Sequence, residues 1–307
     1  MTFEFKNAFY IKLGRGGCWE ADAIENSRLR FGWRGQSCAD INHGNWTIIE
    51  EQLRNDNSIK NKQRATTTLN GLRKIADSKS EDVWITFHES KLWWARLSDE
   101  PVKEDKISKY RTTLDGWHDK SLNGRTLFAD ELPGKLAKLQ GFRWTTCKVN
   151  EREILQRIIE GGRSELANQI ANNCDALCRQ LKEAIIELHW KDYETLVDLI
   201  FRHSGWQRVS VLGQQAKGYD LLLSEPILNN RIVVQIKSQA DNKDLQNTIN
   251  QFSPNDYEKI FFVVHSPAPD LDEPNGVPDH VVIVDPNHLA KLAFSAGLSD
   301  WIEDKVA

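Results

Sequence analysis

The 307-residue sequence predicts a mixed α/β (α+β) protein in two parts. The front is expected to be a small β-barrel with helical insertions, and the back a mixed sheet flanked by helices. Three observations predict this. Short, aromatic-rich alternating runs separated by turn residues fill residues 1–150. After Asn150 the pattern turns helical, and beyond Gly205 strand and helix signals succeed one another. Within that last stretch, Gly218 to Lys237 reads as a β-hairpin turning around Pro226 to Asn230. The expected boundaries are 1–150, a helical linker over 151–185, and 186–307.

In order along the front part, Phe9–Leu13 alternates like a strand and runs into the glycine turn Gly14–Gly17. That turn lacks the Gly-Lys-Ser/Thr ending of a phosphate loop, although its Arg15 is a candidate for a phosphate contact. Leu29–Trp33 is a second strand. Trp46–Leu53 and Lys62–Ala76 are helices, the latter with Leu69, Leu72, Ile75 and Ala76 facing inward. Val83–Phe87 and Lys91–Leu97 flank a short turn as a hairpin, and Arg143–Val149 supplies the closing strand.

In the back part the helical stretch runs from Glu151 to about His203, broken at Gly161-Gly162. Its last helix carries an apolar stripe of Ile186, Trp190, Tyr193, Val197 and Ile200, with Glu194 beside it. The elements expected next are Arg208–Leu212, Tyr219–Leu223, Ile232–Lys237, Asp241–Phe252, Lys259–His265, His280–Val284 and Pro286–Ala296. A loop rich in Pro, Asp and Glu, Ser266–Pro278, is expected to be exposed.

Composition excludes several classes. Apolar residues make up 40% and charged residues 27%, as in a globular protein. Neither a membrane-spanning run nor a signal peptide's apolar core is present, so cytoplasmic residence is the expectation. Five cysteines without paired Cys-x-x-Cys spacing argue against a disulfide framework and a zinc ribbon. No nucleotide-hydrolysis motif appears, so no nucleotide cofactor is expected. Net charge is −4, unevenly spread: residues 186–307 hold 10 of the 40 Lys and Arg but 18 of the 44 Asp and Glu. An acidic back half must meet a polyanion through local basic groups or metal ions.

The chemistry concentrates in the hairpin. Strand alternation puts Val233, Gln235 and Lys237 on one face and Ile232, Val234 and Ile236 on the other. Asp220, Gln235 and Lys237 are the residue types a hydrolytic site needs: oxygen ligands for a divalent cation and a positive group near the attacking water. Gln239 and Gln251 read as ordinary polar surface.

Tyr193-Glu-x-Leu-Val-x-Leu-Ile, Gly205-Trp, Gly218-Tyr-Asp-Leu-Leu-Leu and Val233-Val-Gln-Ile-Lys-Ser together resemble the Mrr-type branch of the PD-(D/E)XK restriction-endonuclease superfamily. His280-Val-Val-Ile-Val-Asp is similar to that family's last strand. The resemblance implies a restriction-endonuclease-like core with a Mg2+ site, Mn2+ being the alternative ion. It makes Asp220 the metal ligand, Gln235 a second one through its amide oxygen, and the Ile236 carbonyl a further one. Lys237 would orient water or stabilise charge, and Glu194 would complete the acidic cluster. It further implies double-stranded DNA, plain or base-modified, as substrate, a homodimer, and a role in restriction and phage defence.

The front part holds eight of the eleven tryptophans and resembles PUA-like domains of the EVE and YTH-related kind. The resemblance rests on Tyr10-Ile-Lys-Leu-Gly-Arg-Gly-Gly, Phe31-Gly-Trp33, Val83-Trp-Ile-Thr-Phe, Leu92-Trp-Trp-Ala-Arg and Phe142-Arg-Trp-Thr-Thr-Cys147. It implies a modified-base reader using Trp19, Trp33 and one of Trp93 or Trp94, which face opposite ways on a strand. Two other readings stay open: a catalytically inactive nucleic-acid-binding module, and an RNA-directed nuclease or sensor.

Overall fold

Turn chemistry and burial together account for the first of two units. A computed structural model describes residues 3–33, 35–56, 59, 62–209, 219–252, 256–271 and 276–307. It divides into Met1–Glu165 and Leu166–Ala307. The first unit contains, in order, β1 (Ala8–Ile11), α1 (Glu20–Glu25), β2 (Arg28–Phe31), α2 (Cys38–His43), α3 (Trp46–Asn55) and α4 (Lys62–Asp77). There follow β3 (Val83–His88), β4 (Lys91–Arg96), β5 (Lys103–Glu104), β6 (Lys109–Thr112), α5 (Gly134–Ala137), β7 (Thr146–Lys148) and α6 (Arg152–Glu160). The β3–β4 hairpin turns on Glu89 and Ser90, both with left-handed φ (48° and 58°), as a tight two-residue turn requires.

The strands of this unit form two sheets and close no barrel among the described residues, which corrects the barrel expectation. One sheet has the order β4-β3-β1-β7, with β1 and β3 parallel; the other has the order β2-β6-β5. The reason lies in the helices. Ile49, Leu53, Leu69, Leu72 and Ile75 of α3 and α4 share a core with Phe31 and Trp84, so helices cover a face that barrel closure would fill with strands. Trp84 is fully buried and its Nε1 donates to Ser78 Oγ at 2.9 Å. Trp84→Ala is expected to lower the unfolding free energy by about 3–5 kcal/mol, the cost of deleting a buried large aromatic. Urea unfolding followed by circular dichroism measures it.

The stretch 151–185 does not behave as one linker. Leu155 and Ile159 of α6 pack in the first unit's core. Gly161, at φ 74°, ends that helix in the left-handed conformation favoured there. The next helix, α7 (Glu165–Glu187), places Leu181 and Ile185 in the core of the second unit.

The second unit continues with α8 (Trp190–His203), β8 (Gln207–Arg208), β9 (Leu221–Ser224), β10 (Arg231–Ala240), α9 (Asn242–Gln251), β11 (Lys259–Pro267), β12 (Val281–Val284), α10 (Pro286–Ser295) and α11 (Ser299–Val306). Of the expected strand Arg208–Leu212, residues 210–212 lie outside the described set, as do Gly218 and residues 272–275 of the Ser266–Pro278 loop. The sheet order is β12-β11-β10-β9-β8. β10, β11 and β12 run parallel, while β9 and β8 are antiparallel. Ile232 and Val234 of β10 pack with α7, α8 and α10 on one face, and Val233 packs with Leu245 of α9 on the other. The two layers are thus the two alternation classes of one strand. α9 opens on a capping box, with Asp241 accepting from Asp244 N–H and Asp244 accepting from Asp241 N–H.

The predicted stripe Ile186–Ile200 needs correction. α7 stops at Glu187, His189 caps a new helix by accepting from Lys191 N–H, and α8 starts at Trp190. The interruption turns Ile186 and Trp190 outward, 43% and 54% exposed. The buried stripe is Tyr193, Leu196, Val197 and Ile200.

Candidate active site

The site is built where β9 begins against the middle of β10. Register pairs Leu221 with Val234, so Asp220, one residue earlier, stands across from Gln235. Asp220 N–H donates to Val234 O at 3.2 Å, fixing its backbone. Its Oδ2 accepts two hydrogen bonds of 2.6 Å, from Gln235 Nε2 and from the backbone N–H of Ile236. A carboxylate only accepts, so the amide must turn its NH2 end to Asp220, leaving the amide oxygen pointing elsewhere. In a strand the N–H and C=O of one residue point to the same side. The Ile236 carbonyl therefore lies on the same edge of β10 as the carboxylate.

Alternation sends Gln235 and Lys237 to the α9 face, whereas Glu194 rises from α8 on the opposite face. They converge electrostatically on Asp220. Burial raises the Asp220 pKa above its ordinary 3.8, opposed by the Ile236 N–H, the Lys237 charge and the Gln235 amide. Glu194 is also raised above 4.5, first by partial burial of its carboxyl and then by the Asp220 charge, with Arg208 and Lys191 opposing. Two carboxylates that resist ionisation together are what a cation would relieve. The donor set, two carboxylates with an amide and a peptide oxygen, has the hard-oxygen chemistry of a Mg2+ site. Among the described residues no three His, Cys, Asp or Glu side chains gather as a metal cluster.

Sequence reasoning missed the cavity beside this site. It measures about 250 Å3 and is bounded by Trp190, Tyr193 and Glu194 of α8, Ile236 and Ser238 of β10, and His265 of β11. Register explains the grouping. Lys237 pairs with Val264 and Gln239 with Ser266, so Ser238 lies beside His265. Tyr193 meets the His265 ring edge-on, 4.9 Å between centroids. Burial, then the Asp285 charge, holds the Tyr193 phenol far above its ordinary pKa of 10.0, so it is a neutral hydroxyl. The available signal was a histidine in phase with Phe261 and Val263, the core-facing positions of β11.

In the first unit, Trp19, Trp33 and Trp93 all pack half-buried against one core cluster. Trp33 has φ 64°, a left-handed backbone that costs a bulky residue about 1–3 kcal/mol. Its ring lies so close over Gly71 of α4 that a Cβ there would come within 3.0 Å. Trp19 lies equally close against Gly14. Trp93 Nε1 donates to His88 O at 3.2 Å. Trp94 is 4% exposed and its Nε1 donates to Lys120 O, which makes it core. Arg15 is exposed in the glycine turn, where Gly14, Gly16 and Gly17 all take positive φ. The grooves seen in this unit, such as one of about 410 Å3 among Asn7, Asn70, Arg73 and Lys74, are lined by other residues.

Comparison with known proteins finds a family match within the second unit. Residues 185–268 match the restriction endonuclease family of the Mrr catalytic type. No curated protein matches the chain. Among solved structures, the DNA modification-dependent restriction endonuclease AspBHI aligns at 12% identity and a TM-score of 0.33, over 73% of this chain and 68% of that one. The MspJI restriction endonuclease in complex with a 27-mer oligonucleotide aligns at 11% identity and a TM-score of 0.23, over 80% and 69%. No helix among the described residues is long and apolar enough to cross a membrane.

Proposed function

We propose, from the premise that residues 185–268 are an Mrr-type restriction endonuclease domain, that the protein is a Mg2+-dependent endonuclease cutting double-stranded DNA. The observation that supports this best is the Asp220 carboxylate pinned between the Gln235 amide and the Ile236 N–H. Asp220, the Gln235 amide oxygen and the Ile236 carbonyl would hold the ion, with Glu194 completing the acidic side. A divalent cation held there supplies polarisation of the scissile phosphate and a lowered pKa for the attacking water. Lys237, close enough to Asp220 to draw its pKa down, would face negative charge developing on the phosphate. Gln235 fixes the Asp220 carboxylate and brings no charge of its own, so the site approaches DNA with two negative charges instead of three.

The front unit is proposed as a reader that brings base-modified DNA to the nuclease, with Trp19, Trp33 and Trp93 as stacking surfaces and Arg15 on the backbone. The backbone strain at Trp33 supports that reading, because strain of this kind collects at binding sites. Cutting both strands of a duplex calls for two active sites, so the working form is proposed to be a homodimer acting in restriction and phage defence.

Purified protein, Mg2+ or Mn2+, and a panel of plain and cytosine-modified duplexes alongside the matching RNAs test the proposal. Cleavage of at least one DNA, abolished by EDTA, is the expected result. Metal binding without any cleavage would instead favour an inactive binding module, and cleavage confined to RNA the sensor reading. A pH series adds a second check. Both site carboxyls must ionise to hold a cation, and both pKa values are raised, so cation affinity falls as pH drops through values above the ordinary 3.8 and 4.5. Calorimetric Mn2+ titrations between pH 4 and 8 are expected to show that acid limb. A flat profile would remove Asp220 and Glu194 from the metal site.

A further inference from the structure

Two residues that line the cavity between α8 and the sheet each carry a buried polar atom that no described protein group satisfies. Tyr193 is 2% exposed and its Oη has no hydrogen-bond partner among the described residues. The buried Nε2 of His265 has none either, although the Nδ1 of the same ring meets Ser266 Oγ at 2.9 Å. An unmet buried polar group costs about 1–3 kcal/mol, and two in one cavity mark a place shaped for a guest with a polar edge. At about 250 Å3 the space is well beyond one water, whose share of liquid volume is about 30 Å3. It lies a little under the ~300–1,000 Å3 of drug-sized pockets.

The walls narrow the guest. Trp190, 54% exposed, offers an aromatic face, and the Lys191 ammonium stands 5.5 Å from its ring centroid. Glu194 forms another wall. A carboxylate disfavours an anion inside the cavity, while Lys191 favours one outside. The guest that fits both is a neutral planar group carrying a phosphate on its outer side: the base of a nucleotide. Tyr193 Oη can donate or accept, and His265 Nε2 takes whichever role its tautomer leaves, so the pair matches the adjoining donors and acceptors of a base edge.

We infer that this cavity is a nucleoside subsite, which receives one unstacked base of the DNA strand beside the phosphate to be cut, with Tyr193 and His265 bonding its edge and Trp190 stacking on its face. Identification of the guest as the base next to the cut rests on the nuclease reading. Tyr193 and His265 touch the substrate and position it; neither performs the hydrolysis.

The test uses the full chain in EDTA, so that no cleavage chemistry enters. dAMP, dCMP, dGMP and dTMP are titrated in turn, with deoxyribose 5-phosphate as the base-free control. The Cε1–H resonance of His265 is followed, assigned by its loss in His265→Gln. At least one mononucleotide is expected to move that resonance to saturation, and deoxyribose 5-phosphate is not. Tyr193→Phe, which removes only the unsatisfied hydroxyl, is expected to keep the thermal midpoint and weaken binding about fivefold, the scale of one neutral hydrogen bond. The inference is overturned if no mononucleotide shifts the resonance, if the base-free control shifts it equally, or if Tyr193→Phe binds like the parent. The two readings fail separately. Mg2+-dependent cleavage without mononucleotide binding sinks the subsite alone, whereas mononucleotide binding with no nucleic acid ever cut sinks the nuclease reading and the placement beside a cut.

Discussion

Asp220→Asn is expected to abolish cleavage while leaving the protein as stable as before or slightly more so. The asparagine oxygen can still accept from Gln235 Nε2 and from the Ile236 N–H, so the start of β9 keeps its anchor on β10. Charge is what is lost. Burial raises the Asp220 pKa, so the fold tolerates the protonated carboxyl better than the ionised one. The stability that such a group provides is present below its unfolded pKa and is lost as pH rises through the raised folded value. An amide is uncharged throughout and escapes that loss. Cleavage, by contrast, should drop by at least about 10²–10³-fold, the scale for removing one preorganised electrostatic group from a reaction centre. Rates on the best DNA substrate and melting curves in EDTA check both halves. A variant that cuts normally would displace Asp220 from the reaction; one that melts far below the parent would make its role structural.

Lys237→Met should separate binding from chemistry. The thioether keeps the length of the stem and removes the ammonium. Turnover is expected to fall about 10²–10³-fold, with Mn2+ affinity at neutral pH retained or increased, because a cation no longer has a positive neighbour. The acid limb supplies an independent signature. Lys237 draws the Asp220 pKa down, so its removal pushes that pKa further up and moves the acid limb of metal binding to higher pH. A residue that merely packed would leave the limb in place. The measurements are single-turnover rates and Mn2+ titrations across pH for the parent and the variant.

Much of the second unit was legible because its elements obey simple periodicities. Ile232–Lys237 alternates, the helices expected from Asp241 and from Pro286 are found, and the hairpin brings Asp220 opposite Gln235 by register alone. What was not legible depends on contacts distant in sequence. β6 reads Lys-Tyr-Arg-Thr, which lacks the apolar alternation of a strand, yet Lys109 and Arg111 are buried. The Arg111 guanidinium donates to Ile75 O and Ala76 O, carbonyls at the end of α4, so the buried charge acts as a helix cap that no local pattern shows. Arg30 is likewise 1% exposed, held by Asp22 and Asp105. The break at His189 escaped notice because the apolar spacing runs on through it, and only the cap reveals the restart. The cavity depends on β11 lying parallel beside β10, which places His265 next to Ser238. A hydrophobic run ending in histidine carries no hint of such a neighbour.

β10 is ten residues long, but β9 covers only Arg231 to Val234. Beyond Val234, among the described residues, Asp220 alone meets the β9 side of this strand, through the Ile236 N–H. Open strand edges are where proteins recruit foreign strands and begin to aggregate. Here, among the described residues, a side chain proposed for catalysis also occupies the first peptide N–H of β10 past the β9 ladder. Asp220→Ala, unlike the asparagine variant, would vacate it, and the alanine protein is expected to lose solubility on concentration where the asparagine protein does not. Selection for hydrolysis and selection against self-association would then bear on the same carboxylate.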